Sequence, residues 1–198
     1  MDITQLTGWL DYDRPHLPGL APDERIAYFE KRVNLVGVRP LERILATEIL
    51  VPDSSALLIY GVAICCIIEA TGKFVTGGRG GNGERFEAFL HGYMDPAYHR
   101  ECIDTHSYGA LLWRHFRNGL AHGFSVRHGG FERNRGQAYF DVKQVAGVAC
   151  LSVNPSALYD DFVQGFGRYL SELRVSQPVG QLFADFDTVF QKVFVLGE

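Results

Sequence analysis

The sequence predicts a mainly α, single-domain helical bundle that carries one β-hairpin, and three observations support this. Apolar residues recur at spacings of three and four through most of the chain. One stretch, between Gln137 and Val153, alternates with period two instead. The length of 198 residues, with 46% hydrophobic and 21% charged side chains, suits one well-buried domain spanning residues 1–198.

Residues 1–20 contain Pro15, Pro18 and Gly19 and read as an irregular lead-in. A first helix is expected from Pro22 or Asp23, with Ile26, Phe29, Val33 and Val36 on its buried side. A short helical segment from Pro40 to about Leu50 should follow. Pro52, Asp53 and Ser54 then supply a stop and a new N-cap. An apolar helix is expected from about Ser55 to Thr71, ended by Gly72. Thr76 to Gly83, TGGRGGNG, reads as a mobile loop, and it lacks the Gly-Lys-Ser/Thr ending of a phosphate-binding loop. A helix from about Glu84 to Tyr93 ends at Asp95 and Pro96.

The next helix starts near Tyr98 or Ser107 and reaches Ala121. The segments Gln137 to Lys143 and Val148 to Val153, separated by a turn containing Gly147, form the expected hairpin at 137–153. Asn154 and Pro155 read as N-cap and first residue of a long helix carrying Leu158, Phe162, Phe166, Tyr169, Leu170 and Leu173. Pro178 and Gly180 interrupt it. A last helix follows, with Leu182, Phe183, Phe186, Val189, Phe190, Val193 and Phe194.

The formal net charge of -4 gives no global nucleic-acid signature. Locally the balance reverses, because Arg114, Arg117, Arg127, Arg133 and Arg135 are accompanied by one acid, Glu132. A basic island on an acidic protein points to a discrete anionic ligand. Cys65, Cys66, Cys102 and Cys150 form no CxxC pair, so free thiols in a reducing compartment are expected rather than a disulfide framework or a zinc knuckle. The chain opens MDITQ, with no basic segment ahead of an apolar core, and a cytoplasmic location without a secretory signal is the expectation. The apolar run from Ala56 to Ile68 is shorter than the roughly 20 residues that cross a bilayer, so no membrane association is expected.

The most informative stretch is LLWRHFRNGLAHG, from Leu111 to Gly123. On a helical wheel Leu112, Trp113, Phe116 and Leu120 form an apolar stripe. Arg114, Arg117, Asn118 and His122 fall on the other side, and Asn118 and His122 are four apart, within side-chain reach. Small residues at Gly119, Ala121 and Gly123 would let a ligand or another backbone approach. Spacing alone does not single this pair out, since Arg85 with His91 and Arg100 with His106 share it. What distinguishes it is the apolar stripe and the asparagine directly after the arginine.

An arginine at a helix end, a polar residue after it and a histidine beyond resembles the signature of the HEPN superfamily, all-α domains many of which are metal-independent ribonucleases. Arg117, Asn118 and His122 match it as R-N-x-x-x-H. The resemblance implies a HEPN-like bundle in which the hairpin is an insertion. It further implies a homodimer whose two motifs share a cleft, RNA as substrate, no metal or cofactor, and a toxin or defence setting with an antitoxin or other partner protein. RNA brings its own nucleophile in the 2′-OH, so such a site needs a base, an acid and positive charge. His122 would be base or acid, Arg117 the phosphate ligand and Asn118 the group that holds the imidazole. Arg114, Arg127 and His128 would add substrate contacts.

Plainer readings stand beside this one. Arginine and histidine near a helix end also serve as a C-cap. Arg114 and His115 read as a solvated helix face or rim contacts, and Arg127 and His128, where they do not assist a phosphate, as loop caps. The group His99, Glu101, Cys102, Asp104 and His106 matches no established metal-ligand spacing. Glu69 reads as an ion pair with Lys73 at i+4. A non-catalytic module that binds a nucleotide, RNA or a protein through the same face is the alternative function, and a scaffold dimerising through that helix is a third.

Overall fold

The computed structural model describes residues 14–50, 54–118, 129–131 and 140–197, and the architecture is mainly helical with two small sheets. Within the expected irregular lead-in, Arg14–Gly19 forms a 3-10 turn that buries Leu17. Helix α1 spans Pro22–Val33, with Pro22 in the first turn, where its missing N–H costs nothing, and Glu24 accepting from the Ala21 backbone N–H at 2.8 Å. It does not stop before Pro40. A wide turn, Asn34–Val38, carries it directly into α2, Arg39–Leu50, with the Arg39 N–H reaching back five residues to the Asn34 carbonyl. A proline inside a helix has no N–H to donate and its ring crowds the carbonyl four residues back, and a widened turn accommodates both effects.

Helix α3, Ser54–Val75, runs through the middle of the molecule and touches α2, α4, α6, α7 and the wide turn that follows α5. It continues past Gly72, which serves a different purpose from the expected stop. A Cβ on Gly72 would lie 1.8 Å from the carbonyl oxygen of Arg85, so the glycine permits the close crossing of α3 and α4, Asn82–Tyr93. The glycine-rich segment between them is a defined turn rather than a loose loop. Gly77, Gly78 and Gly80 take left-handed backbone conformations. The Gly78 N–H donates to the Lys73 carbonyl at 2.8 Å, and Arg79 makes a two-pronged ion pair with Asp185 at 2.7 and 2.9 Å.

Asp95 caps the 3-10 turn Pro96–His99 by accepting from the Ala97 N–H at 2.7 Å. The strands β1, Glu101–Ile103, and β2, His106–Ser107, make a small antiparallel hairpin ahead of α5, Tyr108–Leu111. β3 spans Gly129–Phe131. β4, Phe140–Val145, and β5, Val148–Val153, form the expected antiparallel hairpin, and β5 also pairs in parallel with β3, giving the order β3-β5-β4. Residues 137–139 of the expected first strand lie outside the described residues. Leu151 and Val153 alternate inward, as a half-buried strand requires.

Asn154 caps helix α6, Pro155–Ser176, accepting from the Ser156 and Ala157 N–H groups. The Tyr60 hydroxyl donates to the Pro155 carbonyl at 2.8 Å and fixes the start of α6 to α3. Helix α7, Gln181–Phe190, runs on into a wide turn, Gln191–Leu196. The core between α1, α3, α6 and α7 is aromatic: the Phe29 ring lies 4.3 Å from Phe74, 5.7 Å from Phe166 and 5.5 Å from Phe186, centroid to centroid. No helix among the described residues is long and apolar enough to cross a membrane.

Candidate functional site

Ser107 opens the motif helix, its hydroxyl accepting from the Ala110 N–H at 3.1 Å. After α5 the helix widens over Leu112–Arg117, and the Asn118 N–H reaches back five residues to the Trp113 carbonyl. Such a widened turn accommodates an extra residue and re-aims the side chains beyond it, a feature often found at functional sites. Leu112 and Phe116 remain fully buried, as the apolar stripe predicts. Trp113 and Arg117 depart from the simple wheel. The indole is only partly buried, and Arg117 turns inward onto α3 rather than out to solvent.

Three groups hold Arg117. Its Nε donates to Glu69 Oε2 at 2.9 Å, its Nη1 donates to Asn118 Oδ1 at 3.3 Å, and its guanidinium carbon sits 4.8 Å from the centre of the Trp113 ring. The side chains of Arg117 and Glu69 are 17% and 15% exposed, so water screens this pair much less than a surface one. Trp113 is in turn wedged against α4. Its ring centroid is 5.3 Å from that of Phe86, and a Cβ on Gly83 would come within 3.0 Å of its Nε1.

Glu69 is therefore the partner of Arg117 across the helix crossing, not of Lys73 four residues along its own helix. A lone acid in the apolar stretch of α3 was the available signal, because a half-buried carboxylate needs a cation from somewhere. The Asn118 amide oxygen faces Arg117, so among the described residues it orients the guanidinium.

Arg114 has a different partner. It is exposed, and its Nη1 lies 3.2 Å from Nε2 of His106 on β2. Guanidinium has only donors, so His106 accepts here through an unprotonated Nε2. His115 is half-buried. Cys65 and Cys66 lie near the Arg117–Glu69 pair. Burial pushes both thiols above their ordinary range, most of all for Cys65, with Arg117 acting in the opposite sense. A raised thiol is a poor nucleophile at neutral pH.

The chain leaves the described residues after Asn118 and returns at Gly129, beside the motif helix. A Cβ on Gly129 would lie 2.9 Å from the Phe116 ring and 2.8 Å from the Leu151 carbonyl oxygen, so a glycine allows β3 to slot between them. The Phe131 and Phe116 ring centroids are 4.9 Å apart. His122, Arg127 and His128 lie outside the described residues, as do the expected contacts of Asn118 with His122 and of Arg127 and His128 with phosphate.

The structure thus brings together Arg117, Asn118, Glu69 and Trp113, and sets Arg114 with His106 at the other end of the widened turn. Among the described residues no group of three or more His, Cys, Asp or Glu side chains is arranged to hold a metal ion. Comparison of the chain with protein-family models, with curated proteins and with solved structures finds no match.

Proposed function

We propose that the end of the motif helix is half of a HEPN-type, metal-independent endoribonuclease site, completed by a second copy of the chain. The observation that carries this reading is the setting of Arg117. Glu69 holds one edge of its guanidinium and Asn118 one corner, and its other N–H groups have no partner among the described residues. A cation held in this way is pre-organised for a phosphate that gains charge in the transition state.

In the proposed reaction one His122 takes the proton from the ribose 2′-oxygen as that oxygen bonds to phosphorus. The bond from phosphorus to the 5′-oxygen breaks, and the partner subunit's His122 gives that oxygen a proton. A 2′,3′-cyclic phosphate and a free 5′-hydroxyl result. Arg117 offsets the charge on the non-bridging oxygens, and the homodimer supplies the acid and the base that one motif cannot supply together. A toxin or defence role with a partner protein is the setting the resemblance implies. The test is cleavage of RNA in EDTA by the wild type, His122→Ala and Arg117→Ala. Loss of cyclic-phosphate product in both variants is expected, and equal cleavage by all three would overturn the reading.

A second reading has its own support in the half-buried Arg117–Glu69 pair, which cancels the arginine's charge and fastens the motif helix to α3. On that reading the module binds RNA, a nucleotide or a protein without catalysis. RNA binding that survives His122→Ala, with no product from the wild type, would favour it.

A further inference from the structure

The two arginines of the widened turn are electrically unlike. Arg117 has a carboxylate on its Nε, so the pair as a whole is neutral. The only described partner of Arg114 is the His106 imidazole, through its uncharged Nε2, and no carboxylate among the described residues bonds it. Among the described residues of this helix, the arginine exposed to solvent and without a carboxylate partner is Arg114.

His106 also keeps the charge of Arg114 in place. A free arginine side chain samples many rotamers and loses that freedom on binding an anion. The imidazole engages one corner of the guanidinium through Nη1, and His106 is itself paired with Ile103 of β1. A fixed fork of donors without a countercharge suits a phosphate oxygen pair.

We propose that Arg114, positioned by His106, is a phosphate subsite that holds an RNA phosphodiester adjoining the one engaged at Arg117. The proposal rests on the RNA reading of the motif and gives the two arginines separate tasks. Arg114 supplies electrostatic affinity and strand position, while Arg117 faces the reacting phosphate.

The experiment measures binding of the full chain to a short fluorescein-labelled single-stranded RNA whose 2′-O-methyl groups block cleavage, over a range of salt concentrations. Arg114→Ala should weaken binding roughly tenfold and lower the slope of log affinity against log salt by about one phosphate contact. His106→Ala should weaken binding in the same direction, and His106→Gln, whose amide oxygen can accept from the guanidinium, should restore most of it. An unchanged salt slope in Arg114→Ala, or a His106→Gln variant as weak as His106→Ala, would overturn the proposal. A parallel titration with inorganic phosphate separates the sources: Arg114-dependent phosphate binding without Arg114-dependent RNA binding also overturns it. The two readings fail separately. Cleavage that needs His122, with an unchanged salt slope in Arg114→Ala, removes only the subsite. Arg114-dependent RNA binding with cleavage unaffected by His122→Ala removes only the nuclease.

Discussion

Glu69 on α3 and Arg117 on the motif helix meet through one charge-assisted hydrogen bond of 2.9 Å, and both side chains are largely shielded from water. Removing either partner leaves the other charge half-buried and unpaired, which costs more than the bond's net contribution. Glu69→Ala should lower stability by about 1.5–3 kcal/mol. Arg117→Ala should do the same, with an added loss from its packing on Trp113. The double variant should be markedly less destabilised than the sum of the two, read as a coupling energy from urea denaturation. Strict additivity would show that the two side chains do not interact in solution.

Gly165 and Gly167 sit two residues apart in α6 and should respond to alanine with opposite signs. A Cβ on Gly165 would lie 2.8 Å from the Tyr93 carbonyl oxygen, which Arg168 Nε also engages at 2.8 Å. A Cβ on Gly167 meets nothing within 4 Å. Gly165→Ala should therefore lower stability by about 1–3 kcal/mol as α6 is forced from α4. Gly167→Ala should raise it by about 0.5–1 kcal/mol, the ordinary gain of alanine over glycine in a helix. Thermal or urea melts of the two variants decide the matter, and a shared sign would contradict the packing of α6 on α4.

The contrast between such neighbours marks what sequence periodicity can reach. The spacing of Leu112 and Phe116 placed both in the core, and Asn154-Pro155 marked the start of α6, because these signals act within a turn or two of chain. Gly72 and Arg117 escape local pattern for one common reason. What constrains each is a group distant in sequence, the Arg85 carbonyl against Gly72 and the Glu69 carboxylate on Arg117, and local pattern does not say which group each one meets. The widened turns escape for a related reason. A wheel drawn at a constant angle per residue cannot anticipate a turn that accommodates an extra residue, so it placed Arg117 on the solvent side. His106 shares its spacing from Arg100 with other arginine-histidine pairs of the chain, and the fold turns it onto Arg114 instead.

Two aspartates should shape the acid limb of stability in opposite ways. The Arg79 guanidinium holds the Asp185 carboxyl below the ordinary aspartate range against an opposing effect of partial burial, with Gln181 assisting. Its stabilising contribution is present above about pH 4, the unfolded value, and is lost as pH falls through the lower folded value. Burial raises Asp161 instead, against the hydrogen bond it accepts from the Asp95 N–H. Its contribution is present below about pH 4 and declines as pH rises through the raised folded value. Arg79→Met should flatten the fall in stability below about pH 4, and Asp161→Asn should steepen the rise above it. Urea midpoints measured across the acid range test both slopes. An acid limb unchanged in Arg79→Met would mean that the ion pair does not persist in solution.

The turn between β4 and β5 carries a strain that one substitution should relieve. Ala146 and Gly147 have φ of 50° and 79°, the left-handed pair of a type I′ hairpin turn, and Val145 pairs with Val148 across it. Gly147 accepts this conformation freely, whereas an alanine held there loses about 1 kcal/mol. Ala146→Asn should raise stability by roughly 0.5–1 kcal/mol, and Gly147→Ala should lower it by about 1 kcal/mol. The effect should extend beyond the turn, because β5 carries the buried Leu151 and Val153 and pairs with β3, whose Gly129 lies against Phe116 of the motif helix. Hydrogen exchange at the Phe116 amide should therefore slow in Ala146→Asn and quicken in Gly147→Ala if the hairpin and the motif helix open as one unit. Exchange at Phe116 that ignores both variants would show that the sheet opens separately from the helix it supports.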